Sequence, residues 1–183
     1  MGAASVIRKP YKALPSPTNP AGSSTTETVF IDASSNVIVL PFPSNSELAG
    51  ANAMKSRMIN VNMCGRVTTA GSYNVTVKMY FGTSGTTSSD TAIASTGAVS
   101  VATASANWQI RCALVVDVTS NVLDGWYATS LNGTRVANTI ITAAVTTADP
   151  DAGSTLGFVG SITFGTGSAA NLCYLDDFSL EVL

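Results

Sequence analysis

The last thirty residues, 154-STLGFVGSITFGTGSAANLCYLDDFSLEVL-183, decide the fold class. Leu156, Phe158, Ile162 and Phe164 fall on every second position, with Gly157, Ser161, Thr163 and Gly165 between them. Period two belongs to a strand with one buried face. After the turn-forming run 165-GTGSAAN-171, Phe178, Leu180 and Val182 alternate with Ser179 and Glu181. The stretch therefore predicts a closing hairpin whose second strand ends inside a sheet.

Moving outward, the same signature recurs upstream. Residues 28-TVFIDA-33 and 37-VIVLPF-42 flank Ser34-Ser35-Asn36 and read as a first hairpin, with Pro41 and Pro43 marking a sheet edge. Ser44 and Glu47 have capping-box spacing, but Gly50 and Asn52 limit that segment to a loop with at most one helical turn. Ile59, Val61, Met63 and Val67 alternate with Asn60, Asn62, Arg66 and Thr68. Beyond Ala70-Gly71, Tyr73, Val75, Val77, Met79 and Phe81 alternate with Asn74, Thr76, Lys78 and Tyr80, which predicts a long second hairpin.

Further on, Trp108, Ile110, Cys112, Leu114 and Val116 form an inward face opposite Gln109, Arg111 and Asp117. Asp124-Gly125 and Asn132-Gly133 are both hairpin-turn dipeptides, and 135–147 is a β-branched run. About ten short strands with turns every eight to twelve residues argue an all-β protein. The predicted architecture is a two-sheet antiparallel sandwich of jelly-roll type over residues 28–183. Its core is expected to hold Val61, Val77, Phe81, Trp108, Leu114, Phe158, Ile162, Phe164, Phe178 and Leu180.

Residues 1–27 have a different composition. Four of the chain's 7 prolines (Pro10, Pro15, Pro17, Pro20) lie here, and Arg8, Lys9 and Lys12 surround Pro10 and Tyr11 with no acidic residue before Glu27. Proline fixes φ and removes a backbone donor, so the segment reads as an extended arm able to span roughly 80 Å. Arg8, Lys9, Tyr11 and Lys12 are its candidate partner-binding residues.

Charge and composition exclude several functions. Only 11% of the 183 residues are charged, the formal net charge is -2, and Ser, Thr, Ala and Gly supply much of the expected exterior. Such a surface has no broad basic face for a nucleic acid, and no apolar run reaches the length of a membrane span. The three cysteines, Cys64, Cys112 and Cys173, have no metal-ligand spacing and read as reduced, inert thiols of a protein made in a reducing cytoplasm.

The chain contains no histidine, which removes the usual general base and the commonest metal ligand. Glycoside hydrolysis needs only two carboxylates, but Asp176 and Asp177 should point to opposite faces of a strand. Asp149, Asp151 and Gly153 open like a calcium loop, yet the closing Glu is absent and a Pro/Asp/Gly turn explains them. The expectation is a protein without catalysis, metal or cofactor. Trp126 and Tyr127 are strand neighbours, so one ring should face outward, where it could stack on a sugar or equally pack against a partner subunit.

The stretches 74-NVTVKMYFGTSGTT-87 and 104-ASANWQIRCALVV-116, with the closing thirty residues, resemble the small jelly-roll structural proteins among the virion genes of tailed bacteriophages. That resemblance covers about 28–183 and rests on strand and turn patterns. It implies a capsid decoration (cement) protein, a homotrimer on the outer capsid surface bound to the major capsid protein or another virion protein, with the arm as clamp. The alternative it implies is a tail-fibre, receptor-binding or carbohydrate-binding module holding host-surface glycans through Trp126 or Tyr127.

Overall fold

The strands Arg57–Thr68 and Ala106–Asp117, central in one sheet, bury the alternate residues that their sequences mark as apolar. The computed structural model describes residues 11–12, 24–30, 37, 40–41, 57–82, 84–102, 105–117, 122–144 and 157–182. Among them twelve strands form two six-stranded antiparallel sheets, a jelly-roll sandwich. Sheet A runs in the order β1 (Tyr11–Lys12), β12 (Leu172–Val182), β4 (Arg57–Thr68), β8 (Ala106–Asp117), β9 (Val122–Leu131) and β10 (Thr134–Ala144). Sheet B has β2 (Thr28–Val29), β11 (Gly157–Phe164), β5 (Tyr73–Gly82) and β6 (Thr91–Ser95) in that order. Two short strands complete it: β3 (Leu40–Pro41) pairs with β11, and β7 (Val99–Val101) with β5.

Every residue expected in the core is buried there. The alternation of β8 holds in the structure: Trp108, Ile110, Cys112 and Leu114 lie inside, beside Met79, Phe81 and Phe158 from sheet B. Two glycines admit the large rings. A Cβ on Gly65 would strike the Tyr174 carbonyl and come 2.7 Å from the Trp108 indole, and one on Gly160 would lie 2.5 Å from the Phe30 ring. Phe30 and Trp108 consequently stack across the core, centroids 5.6 Å apart.

Strand pairing differs from the sequence expectation in three places. β4 and β5 belong to different sheets, as do β11 and β12, so neither pair is a hairpin: each connection is an arch across the core. Alternation fixes which face of a strand is apolar but not which neighbour it bonds, and two successive strands can bury their faces against each other. The polar groups of the arches are met by side chains. The Asn171 amide, fully buried, accepts from Ala70 N at 3.0 Å and donates to Thr166 O at 2.8 Å, tying the two arches together. Buried Thr69 donates its hydroxyl to Gly71 O at 2.8 Å.

The expected first hairpin is the third difference. β2 pairs with β11 at Ser161 and Ile162, and β3 pairs with the same edge of β11 at Gly157 and Phe158. Both therefore pair along β11 rather than with each other, and the turn expected at 34–36 lies outside the described residues. Asn132-Gly133 does turn, with φ of 50° and 79° joining β9 to β10. Asp124-Gly125 does not turn and sits within β9, where a Cβ on Gly125 would meet the Ala113 carbonyl. That glycine serves close strand approach.

The N-terminal segment is fastened at two points. Tyr11 and Lys12, expected in an arm without strands, pair with Phe178 and Asp177 at the edge of sheet A. Glu27 reaches the outer face of sheet B, where one carboxylate oxygen accepts from Ser161 Oγ at 2.6 Å and Tyr80 OH at 2.8 Å, and the other from Lys78 Nζ at 3.1 Å. Partial burial alone would raise the Glu27 pKa, but these three hydrogen bonds outweigh it and hold the carboxylate below its usual range.

Candidate functional site

Outward positions of sheet A carry the richest chemistry, and register brings them together. One cross-strand row reads Glu181, Asn60, Ala113, Trp126, Ile140; the next reads Ser179, Asn62, Arg111, Ala128. Four strands span three spacings, about 14 Å, and the rows lie about 7 Å apart along the strands. Asn60, Asn62, Arg111, Ala113, Trp126, Ser179 and Glu181 line an open depression of about 270 Å³. Ala113 leaves its floor low between taller neighbours. The Trp126 indole stands at one end, 42% exposed.

Arg111 is held beside that ring by an amide. One terminal atom of Gln109 lies 2.7 Å from the Asn62 amide and 3.0 and 3.1 Å from Arg111 Nε and Nη2. An atom facing two guanidinium N–H groups is the amide oxygen, and Asn62 then turns its NH2 toward it. Nε and one Nη2 proton are thereby used, which leaves the end of the guanidinium open. Among the described residues no carboxylate lies within 4.0 Å of Arg111; the ion pairs are Arg66–Asp176 and Lys78–Glu27.

Asp176 and Asp177 depart from expectation. A β-bulge between Leu175 and Asp177 sets both opposite Cys64 on the outer face, because an extra residue breaks the alternation. Arg66 takes Asp176 side-on, Nε to Oδ2 at 2.7 Å and Nη2 to Oδ1 at 2.8 Å, and also lies over the Tyr174 ring. Burial first, then the charges of Asp177 and Asp176, push the Cys64 thiol upward against a smaller opposing effect of Arg111. Cys64, Cys112 and Cys173 are all free thiols.

No family model matches the chain, and no curated protein matches it. Solved structures similar to the chain at low identity include three lectins. Peanut lectin with a 9mer peptide aligns with a TM-score of 0.43 and 9% identity over 98% of each chain. Lectin I from Ulex europaeus, in complex with the methyl glycoside of alpha-L-fucose, aligns at 0.38 and 9% over 97% of this chain and 98% of that one. The lectin from Bauhinia forficata in complex with GalNAc aligns at 0.32 and 12% over 97% and 99%. At these TM-scores the likeness carries no inference about ligand, and the reading of the face rests on its own residues.

The other residues singled out from sequence fall elsewhere. Tyr127 points inward, packs against the core and lines a separate depression of about 300 Å³ between β6 and β10, so Trp126 is the ring on the outer face. Tyr11 and Lys12 lie in β1, which pairs with β12 at Phe178 and Asp177 and so borders the Ser179 edge of the depression, at the end opposite Trp126. Arg8 and Lys9 lie outside the described residues, as do Asp149, Asp151 and Gly153. Asn60, Asn62, Arg111, Ser179 and Glu181 were each legible as outward strand positions. Only the register assembles them.

Proposed function

We propose that the chain is a non-enzymatic binding module that holds an oligosaccharide across the outer face of sheet A. The observation that carries this reading is the exposed Trp126 ring at one end of a shallow trough edged by two asparagine amides, a serine, a guanidinium and a carboxylate. A sugar ring has an apolar face for an indole and hydroxyls for amides and carboxylates. An open trough suits internal units of a chain. Support for the absence of catalysis is chemical: the sequence has no histidine, and Asp176 is engaged by Arg66. The setting that the sequence resemblance implies is a virion appendage contacting host-surface glycans.

The second reading keeps the capsid decoration role, with a trimer on the major capsid protein and residues 1–27 as clamp. Exposed Met58 and Val115, paired on the same face, and Ile140 at 82% exposure favour a protein partner there. One experiment separates the two. The intact protein and Trp126→Ala are titrated with a glycan panel by calorimetry. The first reading predicts binding that the substitution weakens by at least ~2 kcal/mol, roughly 30-fold. Unchanged glycan affinity in Trp126→Ala, or saturable binding to purified capsids with no glycan bound, overturns it.

A further inference from the structure

The trough is chemically uneven along its length. Arg111 sits one strand from Trp126 and two residues along, whereas Glu181 lies at the opposite end, three strands from the indole. The Gln109 amide fixes the guanidinium by its Nε edge, so the two Nη groups still offer one N–H each toward a planar acceptor. We infer that the preferred ligand is an acidic oligosaccharide, one carboxylate-bearing unit lying on Trp126 with its carboxylate on Arg111, and a neutral unit running toward Glu181. This rests on the reading of the face as a glycan site and deepens it by naming the sugar class.

Of the acidic groups nearby, Asp124 stands two residues from Trp126 on the side away from Arg111, and the others do not oppose such a ligand strongly. Asp176 is neutralised by Arg66. Asp177 and Glu181 are both on β12, two strands from Arg111 and offset along the strand by one row. That separation is about 12 Å between backbones, beyond the screening length of about 8 Å at physiological salt. Glu181, with Asn60 and Ser179, instead accepts from and donates to the hydroxyls of the neutral unit. A carboxylate on an immobilised arginine is the stronger contact, because its hydrogen bonds are charge-assisted and one partner is already ordered.

The test uses matched pairs on the full-length protein: trigalacturonate against its methyl ester, and sialyllactose against its methyl ester, each titrated by calorimetry. The acid of at least one pair should bind roughly 10- to 100-fold tighter than its ester, and which pair does so identifies the source of the carboxylate. Arg111→Gln should bring that ratio close to one by weakening the acid far more than the ester. Arg111→Lys, which keeps charge and loses the fork, should restore only part of it. Thermal midpoints within about 2 °C of the parent show that these variants fold. Equal affinity for acid and ester in both pairs overturns the acidic-sugar inference and leaves the glycan reading standing. No binding to any of the four probes overturns the inference, and the wider panel with Trp126→Ala then decides the glycan reading by itself.

Discussion

Replacing Glu27 with alanine should destabilise the sandwich by about 2–4 kcal/mol, and the structure shows where the cost arises. The carboxylate accepts from Ser161 Oγ, Tyr80 OH and Lys78 Nζ. Lys78 is exposed enough to regain water when its partner goes. Ser161 is 0% exposed and Tyr80 5%. Both hydroxyls would lose their acceptor in a buried setting, Tyr80 keeping only the 3.5 Å contact from Lys78 Nζ, at about 1–2 kcal/mol each. For a chain of this length that lowers the thermal midpoint by roughly 5–15 °C. Calorimetric melting at pH 7 is the assay, with Ser161→Ala/Glu27→Ala as the second arm. The double variant removes one orphan and should recover about half the loss. A loss below about 0.5 kcal/mol for Glu27→Ala would refute the reasoning, because it would mean that water reaches those hydroxyls. The pH dependence has a definite sign. A depressed folded pKa stabilises above the ordinary value of 4.5, and the contribution fades as pH falls through the lower folded value. Glu27→Gln should lack that acid-side loss.

Deleting residues 1–23 should cost little, since the only described pairing removed is the two-residue β1, whereas deleting 1–27 should add the whole Glu27 penalty; equal melting points of the two truncations would contradict this. Gly65→Ala should cost about 1–3 kcal/mol or more, read by denaturant unfolding, because the new methyl meets a carbonyl and the Trp108 ring. In the native protein at pH 8, Cys112 and Cys173 should resist a thiol reagent until unfolding: burial pushes Cys112 up to about 12 and Cys173 higher still. Phe158→Ala should cost about 3–5 kcal/mol with the fold retained, as measured by urea titration.

Period-two alternation was enough to read the faces of β5, β8, β11 and β12, because each strand has one side in a common core. Partner choice was not legible. Val75 to Phe81 and Ile59 to Val67 look alike whether their strands bond edge to edge or face each other across the core. The bulge at Asp176 shows a second limit, since an extra residue on one strand moves a carboxylate to the other face with no local mark in the sequence. Trp126 could be named as an outward ring, but Arg111, Asn60 and Glu181 join it only through cross-strand register. Gly125 lies within β9 and not at a turn, because a glycine after aspartate signals a turn and a close approach between strands equally well. The Glu27 anchor depends on a contact with Ser161, 134 residues away, which no local pattern records.

The most direct measurement of the central claim is backbone and indole NMR mapping of the protein titrated with an oligosaccharide that it binds. The account predicts shifts concentrated on the Trp126 indole and on the amides of Asn60, Asn62, Arg111 and Ala113, with Tyr127 and the depression between β6 and β10 unmoved. Shifts centred on that second depression, or spread along β11 and β5 on sheet B, would contradict it.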